Sequence, residues 1–326
     1  MTVGGQAVME GVMMRTPHAF TVAVRAPDGS IVLKDEQWRS LWEQHTFLRW
    51  PFFRGTVVMV EALVNGLQAL TFAANVVAPE EETQPTDDAP MSNVQLGLTL
   101  ASSFLMAMGM FVVLPHALTY ALGWLVGGDL LSPDGLLFHA VDGVFKLLLF
   151  VGYIAAISMI EDIRRVFQYH GAEHKSVYAY EAGVPLTVEN ARRFSTLHPR
   201  CGTSFLMFVM LVSIFLFSAV FPLLVPKLEG MPMLLSNLLM IVIKLPLMLP
   251  VAGIAYEAIR FSGRFPNQPV LRLISRPGIW MQNLTTREPT DDQLEVALTA
   301  MKRALERESA WQQAHGAVPV TSAAAS

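Results

Sequence analysis

The stretch QYHGAEHKSVYAYEAG, Gln168 to Gly183, places His170, Glu173 and His174 within five residues. On a helix, positions four apart lie on one face, so His170 and His174 can present two imidazoles to one cation with Glu173 beside them. The order H-x-x-E-H is that of inverted zincins, in which two histidines hold Zn2+ and the glutamate acts on the attacking water. Downstream, LHPRCGTSF adds His198 and Cys201. Imidazole nitrogen and thiolate are both good zinc donors, and Pro199 and Gly202 allow the chain to turn both side chains back toward the helix. Four candidate ligands (His170, His174, His198, Cys201) and one candidate base (Glu173) therefore share one segment, and the cofactor they imply is Zn2+ or another divalent ion. Each has a plainer reading. A chain with eight histidines can produce such spacing by chance. His198 could cap the following helix and Cys201 could be a small buried residue, with Thr203 and Ser204 as N-terminal caps. Glu181, seven residues beyond His174, shares its helical face and is an alternative third ligand. Glu189 follows a Thr187 cap and reads as first-turn chemistry. Arg192, Arg193 and Arg200 read as positive-inside or lipid-phosphate contacts ahead of a substrate site.

The elements that must position these residues belong to an apolar chain. Its 326 residues are 52% hydrophobic and only 15% charged, with a mean hydropathy of +0.42. That composition predicts a mainly α, polytopic helical membrane protein whose partner is the lipid bilayer. A net charge of -4 provides no broad basic surface, and with no zinc-finger or basic-zipper pattern nucleic acid is not an expected partner. The single cysteine, Cys201, rules out an intrachain disulfide. The start, MTVGGQAVMEGVMMRTP, lacks the charged n-region and continuous apolar run of a signal peptide.

A span needs about 20 apolar residues. Four stretches qualify: Val94 to Val126, Leu136 to Ile160, Phe205 to Val225 and Met233 to Ile259. The first is longer than a span needs and, with Pro115 inside, reads as either a tilted, kinked helix or a span followed by an interfacial piece; Asp142 and Lys146 can pair within the second, and Lys244, Pro246 and Pro250 interrupt the fourth. Residues 54–77 read as an amphipathic helix on the membrane or against the spans, with a fifth span as the alternative. The basic loop 161–203 and the arginines after the fourth span predict a cytoplasmic face for both, and with it both termini on the cytoplasmic side of the membrane. Residues 1–93 form a cytoplasmic region in which AFTVAVR, APDGS and IVLKDEQW make a β-hairpin about Asp28-Gly29. Residues 94–260 form the membrane domain. Residues 261–310 are a cytoplasmic C-terminal segment, with a capping box at Thr290 and Gln293 before a helix to about Ser309, and 311–326 read as a disordered tail.

GGQAVMEGVMMR, YHGAEHKSVYAYE, LTVENARRFSTLHPRCGTSF and PGIWMQNLTTREPTDDQLEVA together resemble the YqhQ-like family of bacterial membrane proteins, the DUF1385 family. The resemblance extends over almost the whole chain and implies a membrane protein with metal-dependent activity. Within GGQAVMEGVMMR, the glycines suggest a close backbone passage, and Gln6, Glu10 and Arg15 are candidates to reach the site, although a strand or turn docked beside the hairpin is the preferred reading. Three function classes stand in order: a metal-dependent hydrolase, with peptidase as one form; a non-enzymatic scaffold or sensor with a structural metal site; and a transporter using the intramembrane charges.

Overall fold

The computed structural model describes residues 3–41, 46–50, 53–78, 93–127, 131, 135–224, 231–264 and 268–316. Its contacts divide the chain into two compact units. One comprises 1–80, 157–207 and 252–326; the other comprises 81–156 and 208–251.

The first unit is built on an antiparallel sheet in the order β1 (Gly4–Val8), β2 (Gly11–Arg15), β3 (Ala19–Arg25) and β4 (Ile31–Gln37). The expected hairpin is β3–β4. Pro27 and Asp28 sit at the turn centre, the Gly29 N–H donates to the Ala26 carbonyl at 2.9 Å, and Gly29 takes φ 85°. GGQAVMEGVMMR is the other hairpin, turning at Met9-Glu10 between the paired Val8 and Gly11. Glu10 adopts φ 50°, a left-handed conformation that costs energy for a side chain with a Cβ. Its carboxylate is held in return by Arg165 through two bonds of 2.6 Å and by the Tyr169 hydroxyl at 3.2 Å.

Strand alternation sends Val8, Met13, Phe20, Val22 and Val24 to one face of the sheet, against Ala69 and Ala73 of α1 (Phe53–Val77). Val12, Met14 and Ala23 point the other way into a core shared with α5 (Glu161–Glu181) and α10 (Asp291–His315). α1 buries Val57, Glu61, Asn65, Ala69 and Ala73 at four-residue spacing while Val60, Leu63, Val64, Leu67 and Leu70 stay exposed. Glu61 accepts the Ser40 hydroxyl at 2.6 Å and the Leu41 N–H at 2.8 Å. α10 begins with the expected capping box and continues through His315, past the point where the sequence suggests a disordered tail; residues 317–326 lie outside the described residues. Glu308 docks its far end, accepting the Thr16 hydroxyl at 2.8 Å and the His18 N–H at 2.9 Å. His18 stacks on Trp311 with ring centroids 3.4 Å apart.

The second unit holds α2 (Asn93–Met108), a π-helical turn at Gly109–Val113, α3 (Leu114–Leu125) and α4 (Leu136–Ile157). It also holds most of α7 (Gly202–Leu224) and the first part of α8 (Met233–Arg264). Pro115 follows the π turn inside a run that stays helical from α2 through α3, and the wider turn accommodates its missing N–H. Asp142 accepts from Lys146 Nζ at 2.5 Å, as the spacing predicts, and His116 Nδ1 joins the same carboxylate at 3.2 Å. Among the described residues, four helices are long and apolar enough to cross a bilayer: Phe53–Val77, Ala101–Leu125, Leu136–Ile157 and Gly202–Val220. The fourth expected span is helical within α8, with Pro246 and Pro250 inside it.

Candidate metal centre

α5 is the platform of the site. Glu161 and Asp162 lie at its positive N-terminal end. Gly183, at φ 66°, closes its C-terminal end with N–H bonds from Gly183 to the Tyr180 carbonyl and from Val184 to the Ala179 carbonyl, a Schellman arrangement. The following segment folds back along α5. Lys175 Nζ donates to the Arg192 carbonyl at 2.9 Å and the Tyr178 hydroxyl to the Leu197 carbonyl at 2.9 Å. α6 (Val188–Arg192), capped by Thr187 as its spacing suggests, ends at the first of these ties.

A third element completes the site. α9 (Pro269–Thr285) was not legible in the sequence, where Pro269, Pro277 and Gly278 conceal a helix. Its Gln282 is fully buried and clamps the His198 peptide: Oε1 accepts the His198 N–H at 2.7 Å, and Nε2 donates to the His198 carbonyl at 2.8 Å and to Ser204 Oγ at 2.9 Å. The α9 terminus passes so close to α5 that a Cβ on Gly171 would collide with the Arg287 carbonyl oxygen.

These elements bring His170, His174 and Cys201 together, with one ligand atom of each within 4.8 Å of the others. His170 Nδ1 bonds the Thr285 carbonyl at 2.8 Å, and His174 Nδ1 bonds the Thr196 carbonyl. A carbonyl only accepts, so both Nδ1 atoms carry hydrogen and both Nε2 atoms present lone pairs inward, the tautomer a metal needs. His170 Nε2 is 3.1 Å from Cys201 Sγ, and His174 Nε2 is buried without a hydrogen-bond partner among the described residues. Cys201 precedes α7, and its sulfur accepts the Thr203 N–H at 3.4 Å. It therefore takes the capping place expected of Thr203 and Ser204. The residues fit a metal ion: two imidazole Nε2 atoms and the Cys201 sulfur converge, and one of those nitrogens, on His174, is orphaned.

His198 is arranged differently. Its Nδ1 accepts the Arg200 N–H at 3.3 Å, which assigns the proton to Nε2, and that atom stands 3.5 Å from Glu181 Oε2. In this tautomer Nε2 is a donor, buried without a hydrogen-bond partner among the described residues, and His198 lies outside the cluster of His170, His174 and Cys201. Glu181 is paired with Arg200 and lies outside the three-donor cluster. Arg192 and Arg193 pair with Asp291 and Glu189.

Glu173 Oε2 lies 3.5 Å from His174 Nε2 and 4.0 Å from His170 Nε2. Burial raises its pKa, against the pull of His170 and His198. Burial likewise lowers the pKa of His174 and of His198, opposed by Cys201 in the first case and by Glu173 in the second. Neutral imidazoles are what a cation site requires. β1 covers Glu173 at Gly5, where an added Cβ would lie 2.5 Å from the glutamate Cγ and 2.7 Å from Oε1. The close backbone passage expected of the N-terminal glycines is thus at the site, but the three polar candidates beside them go elsewhere. Gln6 packs on Gly66, Glu10 holds Arg165, and Arg15 lies on Trp38 and near Glu61. The contributors that sequence reasoning missed, Thr285, Thr196 and Gln282, act through backbone carbonyls or on a backbone peptide, and no residue-type pattern announces such roles.

Fold and site together define a mainly helical protein with long apolar helices, a small antiparallel sheet and a cluster of metal-binding character. The chain belongs to the family described as protein of unknown function (DUF1385), whose model matches residues 50–307. It is 36% identical over 321 residues to the uncharacterized protein YqhQ of Bacillus subtilis (strain 168), covering 95% of this chain and 94% of that one. No solved structure matches it.

Proposed function

We propose that the protein is a membrane-embedded, metal-dependent hydrolase whose site faces the cytoplasm of a bacterial cell, with peptide hydrolysis as one form of the reaction. The observation that carries this reading is the tautomer pattern. His170 and His174 offer lone pairs beside Cys201 while His198 does not, leaving three protein ligands and an open position, the ligand count of catalytic zinc sites. Zn2+ or a similar ion held there would acidify water and polarise the bond under attack. Glu173, beside both imidazoles and with a raised pKa, accepts the proton of the attacking water and returns it to the leaving group. His198, whose Nε2 stands 3.5 Å from Glu181 Oε2, lies beside the site and lowers the Glu173 pKa against the effect of burial.

Glu173→Gln tests the reading, because it keeps size and hydrogen bonding but cannot accept a proton. Metal content is expected to stay as in the wild type while complementation of a deletion strain's phenotype falls, with a rate loss on the order of 10²- to 10⁴-fold. Full complementation by metal-replete protein would end the enzymatic reading. One observation favours the scaffold or sensor instead: His170, Glu173, His174, His198 and Cys201 are each less than a tenth exposed. On that account Glu173→Gln is silent and Cys201→Ala destabilises the fold. Transport ranks third, supported by the His116–Asp142–Lys146 group.

A further inference from the structure

α9 has a surface that the metal centre does not use. Positions 270, 273, 277, 280 and 284 recur at intervals of three and four and form one stripe. On it Val270, Leu273 and Trp280 are 66%, 62% and 51% exposed. The adjoining side is buried through Gly278, Met281, Gln282 and Thr285. Arg272 and Arg276, one turn apart, flank the stripe; both are exposed and neither has an acidic partner among the described residues. From Ala258 to Arg287 the chain carries five arginines and no aspartate, glutamate or lysine. A row of large apolar side chains edged by unpaired arginines is poorly placed in bulk water and cannot enter hydrocarbon whole. It matches the boundary between them.

The packing of α9 gives its depth. Gly278 lies against the first turn of α7, where an added Cβ would be 2.7 Å from Ser204 Cβ. α7 contains the candidate span Gly202–Val220, and the first turn of a span sits at headgroup level. We propose that α9 lies in the plane of the membrane surface, with Val270, Leu273 and Trp280 among the outer acyl carbons and Arg272 and Arg276 against the phosphates of anionic lipids. This rests on the membrane reading of the long apolar helices. The same helix gives His170 its Thr285 carbonyl and His198 its Gln282 clamp, so the lipid surface bears on the element that orients the metal centre.

The test uses the full-length chain in nanodiscs of phosphatidylcholine and phosphatidylglycerol. Benzoylphenylalanine, a photo-crosslinker, replaces Leu273 in one sample, Leu148 on α4 in a second and Glu306 on α10 in a third; all three native side chains are exposed. After illumination, mass spectrometry is expected to find lipid adducts at 273 and 148 and none at 306. An adduct at 148 with none at 273 overturns the placement of α9 and leaves the membrane reading standing. No adduct at either overturns both. Anionic preference is read from the phosphatidylglycerol share of the 273 adduct, which Arg272→Gln with Arg276→Gln is expected to lower about fivefold or more. An unchanged share would overturn the role of the arginines.

Discussion

His170, His174 and His198 stand within one cluster, and the partner of Nδ1 sorts them. A carbonyl partner frees Nε2 for a metal, as at His170 and His174; an N–H partner commits Nε2 to a proton, as at His198. The H-x-x-E-H spacing made the first two legible, because helical periodicity alone puts them on one face. The difference at His198 depends on the turn through Pro199 and Arg200, which spacing does not encode. Gly5 was legible only as a close passage; that it passes Glu173 follows from the pairing of β1 with the rest of the sheet and its packing on α5. Gly5→Ala is expected to displace the Glu173 carboxylate without touching the ligands. Metal content should hold while complementation drops, on the order of 10²-fold if displacement approaches 1 Å. Unchanged function would show that the carboxylate's position is immaterial.

Among the elements, those with strong local chemistry were readable: the β3–β4 hairpin from its Pro-Asp-Gly turn, α10 from its capping box, and the long apolar helices from composition. α9 was not, since Pro277 and Gly278 resemble loop residues until Gly278 is seen to make room for Ser204. α10 also carries a pH dependence. Burial raises the Glu308 carboxyl, but hydrogen bonds from His18 and Thr16 outweigh it and hold the pKa below the ordinary value of 4.5. A depressed folded-state pKa means that this contribution is complete above the unfolded value and is lost as pH falls through the folded one. Amide hydrogen exchange, corrected for the intrinsic rate, is therefore expected to show the C-terminal turns of α10 protected at pH 6 and loosening below about pH 4.5. Glu308→Gln should be looser at pH 6 and lack that transition. A wild-type transition near neutrality would contradict the assignment.

For the molecule as a whole, chain order and packing constrain the topology. The sheet precedes α1, and α5 follows α4, yet sheet, α1, α5 and α10 belong to one unit. If the protein spans a membrane as proposed, the sheet and α5, which pack on each other, lie on one side of it, so the number of crossings between them must be even. On that reading the stretch Ala101–Leu125 and α4 would provide two, and a crossing by α1 would make three. α1 is long and apolar enough to span, but its buried stripe lies on the sheet and its Glu61 is bonded to Ser40 and Leu41. An even count on that reading favours the first sequence expectation for residues 54–77, a helix on the membrane or packed against the spans, over a fifth span. Cysteines introduced singly at Ser309 and at Asp129, the latter outside the described residues, should behave oppositely in intact cells. An impermeant thiol reagent is expected to label the second and spare the first. The reverse pattern would invert the topology.

The central claim is that His170, His174 and Cys201 hold a metal ion, and elemental analysis of the detergent-purified protein tests it most directly. The wild type is expected to retain about one Zn2+-like ion per chain, as a mononuclear site would. His170→Ala, His174→Ala and Cys201→Ala should each lose it, whereas His198→Gln should keep it. Wild-type protein without a stoichiometric ion, or ligand variants with undiminished metal, would contradict the account.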